Sequence, residues 1–191
     1  TPVRIVRNAE TNLGDLCADA YRALSNADIA FVNGGGIRKQ IEAGDITLDD
    51  IYSVHPFGNT MCVIRVTGQQ VLDALEWGAR AVPSENGGFL QVSGLTYEIH
   101  TGIASSAEKD ENGMFTRVSG EYRVKNVMVG GQPLELDKTY TLASHNYMLL
   151  NHGDGYTMFD GCEVLGEDMM IDNQVLITYI TTTLGGVVGE Q

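Results

Sequence analysis

Three short loops collect the residue types that suit a small-molecule site. They span residues 33–38 (NGGGIR), 55–59 (HPFGN) and 146–156 (NYMLLNHGDGY). Each follows a predicted strand or helix, and loops mounted on regular elements carry a large share of the binding residues in proteins. Because no complete catalytic apparatus accompanies them, the pattern favours a binding site over a reaction centre.

The first loop combines glycine-rich backbone with a cation. Gly34, Gly35 and Gly36 offer accessible N–H groups, and Arg38 offers forked donors to an anion. Neither the phosphate-loop pattern GxxxxGKS/T nor the dinucleotide pattern GxGxxG is present. Two interpretations stay open at this point: an anion cradle, or a tight crossing from strand to loop.

The other two loops each carry one residue with two plausible roles. Phe57 lies between Pro56 and Gly58, where an aromatic ring either packs into the core or stacks on a flat ligand. Asp154 lies between two glycines, where its carboxylate either bonds its own backbone in a turn or accepts from ligand hydroxyls.

One cluster contains metal-ligand residue types. His145, His152 and Asp154 are close in sequence, but no HExxH or HxH pattern accompanies them. No calcium-loop or serine-hydrolase signature occurs either. An autonomous metalloenzyme built on these three residues is therefore the weaker hypothesis.

The composition describes a folded, acidic chain of 191 residues. Its 25 Asp+Glu exceed its 12 Lys+Arg, which gives a formal net charge of −13. That charge argues against binding of polymeric nucleic acid or an anionic membrane, because both need an excess of Lys and Arg. It leaves room for one small anion, since two arginines suffice for a phosphate. The widely spaced Cys17, Cys62 and Cys162 favour buried free thiols over a disulfide framework.

The periodicity of the chain predicts an α+β fold in which strands outnumber helices. Helices are expected at 13–24, 47–54, 70–81 and 172–184. Strands are expected at 28–32, 61–66, 89–92, 95–100, 122–129, 132–136 and 139–143. Many neighbouring strands look hairpin-linked, which favours α+β over a doubly wound parallel sheet.

Five motifs occur in an order that resembles one known family. They are ETNLGDL at 10–16, NGGGIR at 33–38, PFGNT at 56–60, FLQVSGL at 89–95 and GDGY at 153–156. Over nearly the whole chain they are similar to the C-terminal domain of the 5′-nucleotidase family, which includes UDP-sugar hydrolases and 2′,3′-cyclic-nucleotide 2′-phosphodiesterases. The resemblance implies a layered α/β/β/α domain with mixed sheets and hairpins, in which 1–191 is a single substrate-binding domain.

The resemblance also implies an enzyme divided between two domains. An N-terminal metallophosphatase domain, expected upstream, would hold two divalent metal ions and hydrolyse nucleotide phosphate esters. The present chain would then need no cofactor of its own, and it would bind nucleotide or nucleoside without hydrolysing it. Family members of this kind are mostly exported, so a periplasmic, secreted or cell-surface location is expected. The alternative is a stand-alone nucleoside-binding or surface adhesion module without catalysis.

The resemblance implies which residues contact the phosphate of a substrate and which contact its nucleoside. Arg7 and Arg38 match positions that contact substrate phosphate, and Gly35 lies in the glycine run between the predicted strand and Arg38. The nucleoside contacts are an amide for the base, two aromatic rings that sandwich the base, and a carboxylate for the ribose hydroxyls. In that order they match Asn33, Phe57 with Tyr147, and Asp154.

Overall fold

The centre of the structure is a mixed five-stranded sheet. The structure is a computed structural model that describes residues 4–189. In sheet order the strands are β10 (Glu163–Gly166), β2 (Met61–Thr67), β9 (Thr139–His145), β1 (Ile29–Asn33) and β3 (Leu90–Ser93). The pair β1 and β9 is parallel, and the other three pairs are antiparallel. The predicted α+β class with several sheets is confirmed.

Two smaller sheets hold the hairpins. One contains β4 (Leu95–Ile99), β7 (Val124–Val129) and β8 (Gln132–Pro133), and the other contains β5 (Ala107–Lys109) and β6 (Phe115–Val118). Gly130 and Gly131, both at positive φ, make the turn between β7 and β8. In the five-stranded sheet, within residues 4–189, no neighbouring strands are consecutive along the chain, so the hairpin expectation is wrong there.

A single glycine separates the large sheet from the small one. Gly94 has a φ of +82° and joins β3 to β4, which belong to different sheets. A Cβ at this position would lie 2.1 Å from the carbonyl oxygen of Asp28. The two predicted strands at 89–92 and 95–100 therefore exist, but the chain bends between them instead of pairing them.

Helices cover both faces of the large sheet. They are α1 (Asn12–Ser25), α2 (Leu48–Val54), α3 (Gly68–Ala79), the one-turn α4 (Asn146–Leu149) and α5 (Asp172–Thr178), which continues as a π turn over Tyr179–Thr183. Helices α1, α2 and α5 share one apolar core with one face of the sheet. Helix α3 packs between the opposite face and the small sheets in a second core. No helix among the described residues is long and apolar enough to cross a membrane.

Local sequence explains where α1, α2 and α3 begin. The Thr11 hydroxyl accepts from the backbone N–H of Gly14, and Thr47 forms a reciprocal capping box with Asp50. A second capping box pairs Thr67 with Gln70, so α3 begins two residues earlier than its apolar periodicity indicates.

The cysteines are free thiols, as their wide spacing in the sequence predicts. All three cysteines are unpaired; Cys17 and Cys62 are buried, and Cys162 is half-buried.

Two buried histidines make the folded state sensitive to acid. His55 and His145 are 3% and 2% exposed. Burial lowers the pKa of His55 from 6.5 to about 4, and burial together with the neighbouring His55 lowers the pKa of His145 to about 3. Both rings stay neutral in the folded protein, whereas the unfolded chain takes up protons below pH 6.5. Stability contributed by these rings is therefore lost as the pH falls below 6.5.

We expect His55→Gln to reduce this acid sensitivity. Between pH 7 and pH 5 the parent should lose about 2 kcal/mol more unfolding free energy than the variant, because only the parent's unfolded chain gains a proton at this position. Urea denaturation at both pH values measures the difference. Burial raises the pKa of Asp15 to about 6, so this residue stabilises the folded state as the pH falls. Its contribution is the same in both proteins and cancels when they are compared. Identical pH dependence of the two proteins would contradict the assignment.

Candidate functional site

The seven residues singled out in the sequence line one cavity of about 370 Å³. Its lining also includes three residues that were not among the seven predicted ligand contacts. The complete lining is Arg7, Asn33, Gly35, Gly36, Arg38, Phe57, Asn59, Gly87, Tyr147 and Asp154.

Sheet topology explains why distant segments meet there. Strands β1 and β9 are parallel neighbours, so the loops that follow them leave the same edge of the sheet. Strand β2 is antiparallel to β9 with Met61 opposite His145, and β3 is antiparallel to β1 with Leu90 opposite Asn33. The segments that precede β2 and β3 therefore arrive at this edge too. Gly87 reaches the cavity because it lies just before β3.

The glycine run is a tight crossing of chain segments. The N–H groups of Gly34 and Gly35 donate to the carbonyl oxygens of Phe89 and Gly87, each at 2.7 Å. A Cβ on Gly34 would lie 2.0 Å from the carbonyl oxygen of Val6, so only glycine fits. These two N–H groups are already bonded, and the expectation that they are free to cradle an anion is wrong.

Positive charge in the cavity comes from two arginines. The Nη1 of Arg38 donates to the carbonyl oxygen of Gly35 at 3.2 Å, and its guanidinium carbon lies 5.6 Å from the centre of the Phe57 ring. The Nε of Arg7 is buried without a hydrogen-bond partner among the described residues. Burial, and then the positive charges of Arg4 and Arg38, lower the pKa of Arg7. The guanidinium stays charged, since arginine does not deprotonate in proteins.

The two predicted clamp residues present their rings at the surface of the cavity. Phe57 is 59% exposed and Tyr147 is 40% exposed. The interpretation of Phe57 as a core aromatic is therefore wrong. Gly153 packs beneath the Tyr147 ring, because a Cβ there would lie 2.4 Å from two ring carbons.

Asp154 is held by side chains from other elements. Its Oδ2 accepts from Nδ2 of Asn33 at 2.6 Å, and its Oδ1 accepts from the Tyr147 hydroxyl at 3.3 Å. Its backbone carbonyl accepts from Nε1 of Trp77 at 2.9 Å. The alternative of a carboxylate bonded to its own backbone is wrong. An ionised carboxylate has about four acceptor sites, so two remain for further donors.

The histidines near Asp154 do not converge on it. Nε2 of His145 bonds Oδ1 of Asn33 at 3.0 Å, whereas His152 pairs with Asp160 at the surface. Across residues 4–189 no three His, Cys, Asp or Glu side chains form a group that could hold a metal ion. The geometry therefore gives no support to an autonomous metal site on His145, His152 and Asp154.

Comparison with known proteins gives consistent matches. The family model described as 5′-nucleotidase, C-terminal domain, matches residues 1–161. A 5′-nucleotidase of Vibrio parahaemolyticus is 35% identical over 92% of the chain. The trifunctional nucleotide phosphoesterase protein YfkN of Bacillus subtilis is 36% identical over 97% of the chain. The crystal structure of a 5′-nucleotidase precursor from Thermus thermophilus superposes with a TM-score of 0.83 and 33% identity over 98% of the chain.

All three relatives are much longer than this chain. It spans 28% of the Vibrio protein, 12% of the Bacillus protein and 36% of the Thermus chain. The matched part agrees in sequence and in fold over nearly all of the residues. The chain therefore belongs to the family of 5′-nucleotidase C-terminal domains.

Proposed function

We propose that this chain is the substrate-binding domain of a metal-dependent nucleotide phosphoesterase, and that its cavity binds base, ribose and phosphate. The observation that carries the proposal is the convergence of two arginines, two exposed aromatic rings and one carboxylate in a single cavity. Together these groups provide complementary contacts for each part of a nucleotide.

The aromatic rings supply the base site. Phe57 and Tyr147 come from segments far apart in the sequence but line the same cavity. Stacking of a base on an aromatic side chain contributes about 1–3 kcal/mol and tolerates different bases. A bound base would remove apolar surface of both rings from water, which is favourable.

The carboxylate supplies the ribose site. Asp154 uses one oxygen toward Asn33 and the other toward Tyr147, so each oxygen keeps a free acceptor site. Two vicinal hydroxyls need two adjacent acceptors, which this carboxylate provides without a metal ion.

The arginines supply the phosphate site. Arg7 and Arg38 line the same cavity, and the positive charge of Arg38 contributes to the lowered pKa of Arg7. A phosphate between them would neutralise both charges and accept forked hydrogen bonds, which lysines would provide with less geometric specificity.

The hydrolytic step belongs to the rest of the parent protein in this proposal. An N-terminal metallophosphatase domain would bring two divalent metal ions, which stabilise the attacking and leaving oxygens of phosphoryl transfer. The parent would be an exported nucleotide hydrolase, periplasmic or at the cell surface. The coding sequence upstream of Thr1 tests this division directly.

We expect removal of either ring to weaken adenosine binding. Phe57→Ala and Tyr147→Ala should each raise the adenosine Kd about tenfold or more, because each removes one stacking face. Isothermal titration measures the effect. Tyr52→Ala is the matched control, since Tyr52 is 48% exposed on α2 but does not line the cavity. Unchanged Kd values in both alanine variants would rule out the clamp.

We expect Arg38→Ala to discriminate between AMP and adenosine. The Kd for AMP should rise by about tenfold or more, whereas the Kd for adenosine should change little, because only AMP presents a phosphate. Lys39→Ala provides the control: its ammonium lies 3.3 Å from Asp50 and outside the cavity lining. Equal losses for the two ligands in Arg38→Ala would contradict the phosphate role.

We expect the 191-residue chain to bind AMP without releasing phosphate from it. The metal ligands that would activate water are expected in the N-terminal domain. A phosphate-release assay with Mn²⁺ or Zn²⁺ checks this. Release that exceeds mock-purified controls would show that the chain is itself a catalyst.

A further inference from the structure

Asn33 lies at the floor of the cavity with both ends of its amide engaged. It is 4% exposed, and it ends β1. Its Nδ2 donates to Oδ2 of Asp154 at 2.6 Å, and its Oδ1 is 3.0 Å from Nε2 of His145. This leaves one N–H of the amide for a ligand.

Elementary chemistry fixes the direction of both hydrogen bonds. An ionised carboxylate only accepts, so the amide nitrogen of Asn33 must face Asp154. The amide oxygen then faces His145 and also only accepts, so Nε2 of His145 must carry the proton. The neutral ring therefore adopts the Nε2–H tautomer, which locks the Asn33 amide in one orientation.

His145 is placed to act on the cavity without touching a ligand. It is 2% exposed and is not among the residues that line the cavity. The Tyr21 ring meets it edge-on, with centroids 6.3 Å apart. Without the His145 donor, the buried amide oxygen of Asn33 loses its hydrogen-bond partner, so the orientation in which Asn33 donates to Asp154 is held less firmly.

We propose that Asn33, oriented by His145, is a positioning residue that aims the Asp154 carboxylate at the sugar hydroxyls of the ligand. The inference rests on the proposed function, because it assumes that Asp154 receives those hydroxyls. It assigns His145 a role in ligand selection, and it makes Asn33 a support for sugar recognition.

Two nucleosides separate the positioning role from a base contact. Adenosine carries both sugar hydroxyls, whereas 2′,3′-dideoxyadenosine carries the same base and neither hydroxyl. Isothermal titration of both is carried out on the parent chain and on Asn33→Leu, His145→Phe and Asp154→Asn. Thermal melting establishes that each variant is folded at the titration temperature.

We expect Asn33→Leu and His145→Phe to raise the Kd for adenosine about tenfold, the scale of one hydrogen bond to a charged group. The Kd for dideoxyadenosine should change less than about twofold, because this ligand has no sugar hydroxyl to donate to Asp154. Asp154→Asn should likewise raise the Kd for adenosine but not the Kd for dideoxyadenosine. In the double variant with Asn33→Leu, the Kd for adenosine should rise little further, since the effects of residues that act through one another are not additive. His55→Phe is the matched control for a lost buried imidazole, because His55 is 3% exposed and does not line the cavity, whereas the bond to Asn33 comes from His145.

The opposite results overturn the inference. Equal losses for both nucleosides in Asn33→Leu would make Asn33 a base contact. A His145→Phe variant that keeps the parent's preference for adenosine would remove His145 from the role, and this variant decides the matter even if Asn33→Leu does not fold. A parent chain that binds neither nucleoside would overturn the proposed function itself, and the positioning role with it.

Discussion

The parallel pairing of β1 with β9 is the constraint on which the rest of the site depends. It sends the segment after Asn33 and the segment after His145 out of the same edge of the sheet. Antiparallel β2 and β3 on either side then bring their preceding loops to that edge. If one strand of the sheet changed its place in this order, the aromatic, carboxylate and arginine side chains would no longer meet, although the loops that carry them could keep their local structure. The chemistry of the cavity is thus set by strand order more than by any single loop.

The same arrangement explains how an acidic chain can present a cationic site. The formal net charge of −13 describes the whole surface, but screening limits its reach to about 8–10 Å at physiological salt. Within the cavity, Arg7 and Arg38 face a single carboxylate. Arg4 adds to the positive potential at Arg7, although Glu85 pairs with Arg4 and offsets part of it. Local placement of charge, and not the total, determines what this cavity can hold.

Sequence reasoning reached the fold class, most element positions and seven of the ten residues that line the cavity. Composition and spacing alone left Phe57 and Asp154 undecided, and the ordered motifs of the family selected between the alternatives. The linkage of strands was harder, because Gly94 redirects the chain by a close backbone approach to Asp28 that no local pattern reveals. The glycine run was predicted in part. Its missing side chains indicate a close approach of another group, but only the tertiary structure identifies that group as the backbone of Val6.

The partners of Asp154 were beyond sequence reasoning for a physical reason. Asn33 and Trp77 lie 121 and 77 residues away from it, and their hydrogen bonds exist only once both cores have assembled. Trp77 is fully buried in the core between α3 and the small sheets, and it holds the backbone of Asp154 at a φ of +55°. A non-glycine residue seldom adopts that conformation unless its surroundings impose it. The far core therefore supports the ligand-facing carboxylate, and a site held in this way needs little further ordering when it binds.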